Sequence, residues 1–386
     1  MMKEERMSVL LTGATGFVGM EILARYLERT DAPVFVAVRA RDREDAEARI
    51  DETLTCLFGS SDPYHDRVRP LKADIEQPGL GLGARERESL AEEITHIVHC
   101  AASVSFDLPL EQSRQVNVDG TRHVLELADL CQRRGRLDRF SYISTAYVAG
   151  RHGGAFGEDD LEIGQSFRNA YEQSKFEAER VVRAHARGLP VQIFRPSIVV
   201  GEQSTGWTAS FNVLYTPLKA FVRGKLPALP ARRSAPVDVV PVDYVADAVF
   251  ELSREPVDRF RTYNLVAGPN ATTVGELIEL SADRLERPQP TVIPPAIFKS
   301  VLYPVLRRHS GVGPGLKRSS VFFPYFSMDV EYHNERARDR LEPAGITAPP
   351  IESYFDRLID FAQASDWGRR PVTRAEAADR MALTPA

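Results

Sequence analysis

Three glycines that follow a short apolar run constrain this chain more than any other feature. Gly13, Gly16 and Gly19 lie in TGATGFVG, directly after the strand-like run Ser8–Thr12 and at the start of an amphipathic stretch. In this pattern the first glycine permits a tight turn, the second lets backbone approach a pyrophosphate, and the third lets helix and strand pack closely. The pattern predicts a dinucleotide-binding βαβ unit; the alternative is a glycine-rich turn without a ligand.

The same loop supplies further predicted contacts to the dinucleotide. The N-terminus of the helix that follows points free N–H groups and a partial positive charge at the phosphates. We expect Thr15, Phe17 and Val18, which lie between the glycines, to contact the cofactor as well.

Strand-like runs alternate with amphipathic stretches through the first two-thirds of the chain. The runs are Ser8–Thr12, Pro33–Val38, Arg67–Leu71, Ile94–Cys100, Arg139–Ser144 and Val191–Arg195. Short apolar strands separated by helices indicate βαβ units and a parallel sheet that is buried on both faces. Right-handed crossovers make such a sheet doubly wound. The predicted fold class is α/β, a Rossmann-type doubly wound parallel sheet with a smaller, mostly helical C-terminal substrate-binding cap.

The pattern changes after Pro196, where aromatic residues, glycine and proline are mixed. We predict that residues 1–200 and 236–270 form an NADP-binding Rossmann domain. Residues 201–235 and 271–370 would form the substrate-binding cap, and residues 371–386 a flexible tail.

Composition excludes several classes of protein. The formal net charge of −5 over 386 residues argues against a nucleic-acid-binding surface. No apolar run resembles a signal peptide or reaches the roughly 20 residues needed to cross a bilayer, so a cytoplasmic protein is expected. The three cysteines have no CxxC spacing, and His96 and His99 point to opposite faces of a strand. We therefore predict no metal site and a structural role for both histidines.

The end of the second strand predicts which dinucleotide is bound. NAD-binding units usually carry an acidic residue about 20 residues after the glycines, but here the corresponding residue is Arg39. A guanidinium can bind a 2′-phosphate that a carboxylate would repel. This favours NADPH, with Arg49, Arg41 and Arg43 as candidate helpers. In the alternative, Asp42 accepts a hydrogen bond from the ribose hydroxyl of NAD, and Arg39 is a solvated loop residue. However, the position of Asp42 is also typical of a helix N-cap.

Two more loops follow strands at the same predicted edge of the sheet. Asp74 and Ile75 come after the third strand and are candidates to contact the adenine. Ala101 and Ala102 come after the fourth and are small enough to let the cofactor lie flat. All four residues could instead serve the loops and the packing alone.

Tyr171 and Lys175 lie four residues apart in YEQSK, which puts both side chains on one face of a helix. An ammonium about 5 Å from the phenol, at an effective dielectric near 20, would lower the pKa of the tyrosine by about two units. We predict that Tyr171 gives its proton to an oxygen that gains charge as hydride arrives. YxxxK is common on helix surfaces, so the prediction depends on the glycine loop and on ISTAYVAG between them.

The motif ISTAYVAG lies where the fifth strand ends and a loop begins. Thr145 or Ser144 can donate a hydrogen bond to the substrate oxygen beside Tyr171; alternatively, both hydroxyls only cap the turn. Asn117, in NVDGT, could support a network behind Lys175 or could be a helix residue packed on the sheet.

Six motifs together resemble those of the extended short-chain dehydrogenase/reductases, and more narrowly those of the fatty acyl-CoA reductase and thioester reductase group. In order, they are TGATGFVG, HCAASVSFD, NVDGT, ISTAYVAG, YEQSK and RPSIVVG. The resemblance covers about Val9 to Leu252. Tyr325–Ile346 is also similar to the C-terminal segment of bacterial acyl reductases of this kind.

The resemblance implies NADPH-dependent reduction of an acyl thioester to an aldehyde or onward to an alcohol. It implies Thr145, Tyr171 and Lys175 as the catalytic set and favours Thr145 over Ser144. It adds the loop of Pro196 and Ser197 to the cofactor site and requires no covalent enzyme intermediate.

The resemblance also implies a partner, either acyl-CoA or an acyl-carrier protein. Because the chain starts at its own phosphate-loop strand, we expect a carrier protein to be a separate molecule. The apolar stretches Trp207–Pro230 and Pro294–Phe326 would form an acyl groove, a membrane-facing lid or plain cap core. The helices in Gln112–Arg133 and Tyr171–Arg187 offer a face for a homodimer.

Two other functions are compatible with these motifs. A related reductase or dehydrogenase could act on a ketone, a hydroxysteroid-like alcohol or a nucleotide sugar with the same Tyr171 and Lys175. A non-catalytic dinucleotide-binding protein would need no proton donor, and the hydroxyl–tyrosine–lysine set argues against it.

Overall fold

The computed structural model describes residues 7–211, 213–224, 226–255, 260–298, 300 and 323–382. The strands are β1 (Val9–Thr12), β2 (Val34–Val38), β3 (Val68–Lys72), β4 (His96–His99), β5 (Arg139–Ile143), β6 (Gly153–Phe156), β7 (Val191–Pro196), β8 (Ile198–Val200), β9 (Ala228–Pro230), β10 (Pro236–Val237), β11 (Val239–Pro241), β12 (Arg261–Leu265), β13 (Thr272–Thr273), β14 (Thr291–Ile293) and β15 (Asp329–Tyr332). The helices are α1 (Phe17–Arg29), α2 (Arg43–Phe58), α3 (Ala84–Glu93), α4 (Leu110–Arg114), α5 (Gly120–Arg134), α6 (Ala170–His185), α7 (Tyr215–Val222), α8 (Val242–Arg254), α9 (Val274–Arg284), the single turn α10 (Pro295–Ile297), α11 (Glu335–Leu341), α12 (Phe355–Ala364) and α13 (Arg374–Ala382).

Seven parallel strands form the central sheet, in the order β12-β7-β5-β4-β1-β2-β3. The strand order reverses between β1 and β4, and ligands of open α/β sheets bind at the carboxyl ends of the strands beside such a reversal. Apolar side chains pack against both faces of the sheet in two separate clusters. The predicted Rossmann-type doubly wound fold is confirmed.

Local signals in the sequence account for the helices that flank the site. Asp42 caps α2 by accepting a hydrogen bond from the Asp45 N–H, as its position predicted, and Asn169 caps α6 in the same way. Between α4 and α5 the chain forms a π-helical turn at Gln115–Asp119, where the sequence predicted one continuous helix. Such turns are rare and occur mostly near functional sites.

The cap is built around α7, α9 and the parallel strand pair β9–β14. Leu218, Leu229 and Ile278 belong to its apolar core, which also includes Phe326 from the C-terminal segment. Trp207, only 1% exposed, packs its ring on Phe17 of the phosphate loop. Much of Trp207–Pro230 is therefore packed core, whereas residues 301–322 of the second apolar stretch lie outside the described residues.

The C-terminal half is not confined to the cap. Helix α11, which the sequence boundaries place in the cap at 271–370, packs on α8 and β12 of the Rossmann domain through Ala337 and Leu341. The Glu158 carboxylate accepts hydrogen bonds from the backbone N–H groups of Arg336 and Ala337 at its start. Because these two apolar residues lie one turn apart, they form one face of the short helix, and this face packs on the Rossmann domain.

The prediction of a flexible tail is wrong for residues 371–382. Helix α13 docks on the Rossmann domain, and the Arg374 guanidinium forms ion pairs with Glu21 at 3.1 Å, Glu202 at 2.5 Å and Glu28 at 3.1 Å. Two carboxylates of α1 and a third from the loop after β8 gather around one cation that is far from them in sequence, and no local pattern signals such a contact. Residues 383–386 lie outside the described residues.

Every helix in the described ranges is too short or too polar to span a membrane.

Substitution of Arg374 tests how firmly the tail is anchored. We expect Arg374→Ala to lower the free energy of unfolding by about 3 kcal/mol, because Glu21 is completely buried and loses a partner. The pKa of Glu21 is raised by burial to about 7 in the folded protein, and Arg374 opposes this shift. Protonation of Glu21 therefore stabilises the folded state. This contribution to the free energy of unfolding is lost as the pH rises through the pKa of Glu21 in the folded protein.

The loss on substitution should accordingly be larger at about pH 8 than at about pH 5, where Glu21 is neutral in the variant. Urea denaturation at both pH values measures this, with the exposed Arg370→Ala as the matched control. Equal losses for the two variants would contradict the anchoring role of Arg374.

Candidate active site

The loop between β1 and α1 is closely fitted to the end of β4. Gly13 has φ +80°, and a Cβ there would lie 2.6 Å from the backbone nitrogen of Ala101. A Cβ at Gly19 would lie 2.0 Å from the carbonyl oxygen of Gly13, so only glycine lets the helix sit on the turn. These two positions have the steric roles that the glycine pattern predicted.

The N-terminus of α1 opens into a cleft. Gly16 is the N-cap residue of α1, and no side chain caps the helix. A Cβ at Gly16 would contact only the carbonyl oxygen of Gly13. Free N–H groups at an uncapped helix start suit a phosphate group. The residues present therefore fit the pyrophosphate of a dinucleotide.

The cleft encloses about 660 Å³ and joins this loop to the predicted catalytic residues. Its lining includes the predicted residues Gly13, Thr15, Gly16, Phe17, Val18, Gly19, Ala102, Thr145, Tyr171, Lys175, Pro196 and Ser197. Arg39, Arg49, Asp74, Ile75 and Ala101 are outside this lining. A volume of this size falls in the range of small-molecule sites in proteins.

Lys175 is held at the base of the cleft by strand β5. Its Nζ donates hydrogen bonds of 2.8 Å to the Tyr142 hydroxyl and 2.8 Å to the Ile143 carbonyl. The ammonium also lies 4.3 Å from the centre of the Tyr142 ring. Burial lowers the pKa of Lys175 to about 8. No pattern in the sequence indicated Tyr142, because its contact with Lys175 depends on how α6 faces β5.

The pKa of Tyr171 changes in the opposite direction to the one we predicted. Burial raises it to about 12, and a hydrogen bond with Thr145 opposes the shift. The prediction was wrong because desolvation of the phenolate dominates, while Lys175 directs its hydrogen bonds to Tyr142 and Ile143. The phenol therefore carries its proton at neutral pH, as a proton donor must, but the raised pKa makes it a weaker acid until other charges at the site stabilise the phenolate.

The structure separates the two candidate hydroxyls. The Ser144 Oγ donates to the Glu179 carboxylate at 2.7 Å, inside the protein. Thr145 lines the cleft beside Tyr171 and accepts a hydrogen bond from the Tyr147 N–H at the start of a 3₁₀ turn, Ala146–Ala149. Both residues line the cleft, but Thr145 is the one whose hydroxyl is hydrogen-bonded with the Tyr171 phenol.

A buried ion pair behind the site escaped the sequence prediction. Glu179 and Arg195 are both completely buried, with 2.6 Å between guanidinium and carboxylate. Glu179 follows Lys175 by four residues and Tyr171 by eight, so the helical spacing was a signal that it shares their face. Its contacts with Ser144 and Arg195 tie α6 to the ends of β5 and β7.

Asn117 lies in the π-helical turn and does not reach Lys175. Its side chain bonds both backbone groups of Ser103, at 2.7 and 3.0 Å, and donates to the Ser174 hydroxyl at 2.9 Å. It therefore holds the loop after β4 against α6.

The predicted 2′-phosphate residues lie at the rim of the sheet. Arg39 is exposed and pairs with Glu76 at 3.0 Å, while Arg49 donates to the Arg39 carbonyl. Asp74 accepts a hydrogen bond from the Glu76 N–H. The Ile75 side chain packs under Gly120 at the start of α5.

Of the two histidines of β4, His99 is buried and His96 is half-buried. His99 bonds the hydroxyls of Thr12 at 2.8 Å and Thr121 at 3.1 Å, and burial lowers its pKa to about 3. Burial also lowers the pKa of His96, to about 4. Among the described residues no group of side chains is suited to hold a metal ion.

Sequence comparison identifies relatives that are named as reductases. L-2-aminoadipate reductase large subunit of Eremothecium gossypii is 34% identical over 96% of this chain, and fatty acyl-CoA reductase wat of Drosophila melanogaster is 29% identical over 67%. The chain spans only 29% and 57% of the length of these two relatives.

A solved structure is similar over nearly its whole length. The terminal R domain from the myxalamid PKS-NRPS biosynthetic pathway is 30% identical, with a TM-score of 0.81 over 96% of this chain and 94% of that one. A family model described as Male sterility protein matches residues 11–249. The chain therefore belongs to the Male sterility protein family and is an NAD(P)-dependent oxidoreductase with an extended short-chain dehydrogenase/reductase fold.

Proposed function

We propose that this protein is an NADPH-dependent reductase of acyl thioesters, which it converts to aldehydes. One observation carries the proposal: Thr145 and Tyr171 lie together in a cleft that also contains the uncapped start of α1. The similarity to an R domain and to a fatty acyl-CoA reductase supports a thioester as the substrate.

The glycine loop and Lys175 would hold the cofactor, and Thr145 and Tyr171 would hold the substrate oxygen. Gly16 and its neighbours in the loop would bind the pyrophosphate, and Lys175 would bind the nicotinamide half. When bound, NADPH supplies the hydride that adds to the thioester carbonyl carbon. Thr145 and Tyr171 donate hydrogen bonds to the carbonyl oxygen, which gains charge as the hydride arrives.

Proton transfer completes the first reduction. Tyr171 protonates the oxygen, and the resulting hemithioacetal breaks its carbon–sulfur bond to release the aldehyde and a thiol. Cys100 also lines the cleft, but burial raises the pKa of its thiol to about 12, so it is not a thiolate at neutral pH. Reduction therefore proceeds without an acyl-enzyme.

The walls of the cleft suit an apolar acyl group. Val104, Phe106 and Val213 line it, and Val104 is 65% exposed at the surface. Acyl-CoA and acyl-carrier protein present the acyl group on the same phosphopantetheine thiol, so the same cleft can receive either one.

The substrate class is tested by the oxidation of NADPH with a panel of substrates. We expect turnover with long-chain acyl-CoA or with the same acyl group on a carrier protein, and an aldehyde as product by mass spectrometry. Ketones, hydroxysteroids and UDP-sugars serve as the comparison, together with a reaction without substrate. Turnover of a ketone or sugar but of neither thioester would contradict the proposal.

Removal of the phenolic hydroxyl tests the proton donor. We expect Tyr171→Phe to lower kcat by about 10²–10⁴-fold, because the oxyanion loses its acid, while NADPH still binds. The control is Tyr64→Phe, which packs on Phe58 far along the chain from the cleft. Full turnover by Tyr171→Phe would remove the proposed role of the phenol.

Substitution of Arg39 tests the preference for NADPH. We expect Arg39→Gln to raise the KM for NADPH about tenfold and to leave the KM for NADH unchanged, because only the 2′-phosphate loses a cation. The control is Arg69→Gln near the start of β3, where Arg69 also pairs with a glutamate. Equal changes for both dinucleotides would contradict the assignment.

A further inference from the structure

One aromatic side chain of the C-terminal segment reaches the catalytic residues. Tyr325 lies in the 3₁₀ turn Phe323–Ser327, far along the chain from α6, and is only 3% exposed. It contacts two of the segments that line the cleft and therefore links the C-terminal segment to the surroundings of Tyr171 and Thr145.

The ring of Tyr325 is packed between two aromatic residues of the cleft wall. It stacks on Phe106, with 5.4 Å between ring centres and 21° between planes, and Phe106 in turn lies 5.5 Å from the ring of Tyr171. On the other side it lies 4.8 Å from the ring of Tyr147. Tyr147 is the residue whose N–H bonds the Thr145 hydroxyl.

The hydroxyl of Tyr325 contacts the start of the catalytic helix. It donates to the Glu172 carboxylate at 2.7 Å and accepts from the Asn169 side chain at 2.7 Å. Glu172 directly follows Tyr171, is completely buried, and pairs with Arg168 at 3.4 Å. A hydrogen bond from a buried phenol to a buried carboxylate is among the stronger neutral-to-charged contacts.

We propose that Tyr325 is a positioning residue that holds Tyr171 and Thr145 in register from the cap. Its ring sets Phe106 against Tyr171 and Tyr147 beside Thr145, and its hydroxyl fixes the backbone turn that carries Tyr171. Because an error of about 1 Å in the placement of reacting groups can cost about 100-fold in rate, this second layer affects catalysis without touching substrate. The inference rests on the proposed function for its kinetic readout.

Two substitutions separate the ring from the hydroxyl. We expect Tyr325→Phe to lower kcat for thioester reduction about tenfold and Tyr325→Leu about 100-fold, with the KM for NADPH within about twofold of wild type in both. The control is Tyr332→Phe in the same segment, because the buried Tyr332 hydroxyl has no hydrogen-bond partner among the described residues. This control should keep full kcat.

Rates are normalised to the folded fraction from thermal unfolding, so that a purely structural role leaves kcat unchanged. If both variants keep wild-type kcat, the proposal is overturned. If Tyr325→Leu does not fold, the kcat of Tyr325→Phe decides.

If the wild-type protein reduces no thioester, the proposed function fails, and crystal structures then test Tyr325 separately. A displacement of the Phe106 and Tyr171 rings in the variant that folds supports the positioning role. Superimposable rings overturn it.

Discussion

The buried ion pair between Glu179 and Arg195 is the constraint on which the catalytic arrangement depends. Both side chains are fully removed from solvent, and Glu179 also binds the Ser144 hydroxyl. Loss of either partner would leave an uncompensated charge inside the protein, which typically costs several kcal/mol. The pair fixes the rotation and height of α6 relative to β5 and β7, and thereby directs Tyr171 and Lys175 toward the cleft.

Burial then determines the chemistry of these residues. A desolvated phenol keeps its proton, and a desolvated ammonium loses part of its preference for the charged form, so the pKa of Tyr171 rises and the pKa of Lys175 falls. Tyr142 and the β5 backbone fix the lysine, and Glu179 engages Ser144, while Thr145 is hydrogen-bonded with Tyr171. The cleft thus presents a protonated phenol beside a threonine hydroxyl.

The C-terminal part of the chain completes the Rossmann domain as well as the cap. Tyr325 packs against the cleft wall, and Arg374 joins α13 to Glu21 on the helix of the phosphate loop. Trp207 adds a contact to Phe17 and donates to the Val372 carbonyl. Segments far along the chain thus support both the helix that follows the glycine loop and the wall of the cleft.

The sequence by itself determined the parallel sheet and the glycine loop, and it placed Tyr171 and Lys175 on one face of a helix, because periodicity, glycine spacing and helical spacing are local properties of the chain. Only the tertiary structure decided the direction of the Tyr171 pKa, the different partners of Ser144 and Thr145, and the order in the tail. These depend on desolvation and on contacts between segments far apart in sequence, such as Arg374 with Glu21, and a local pattern carries no information about such partners.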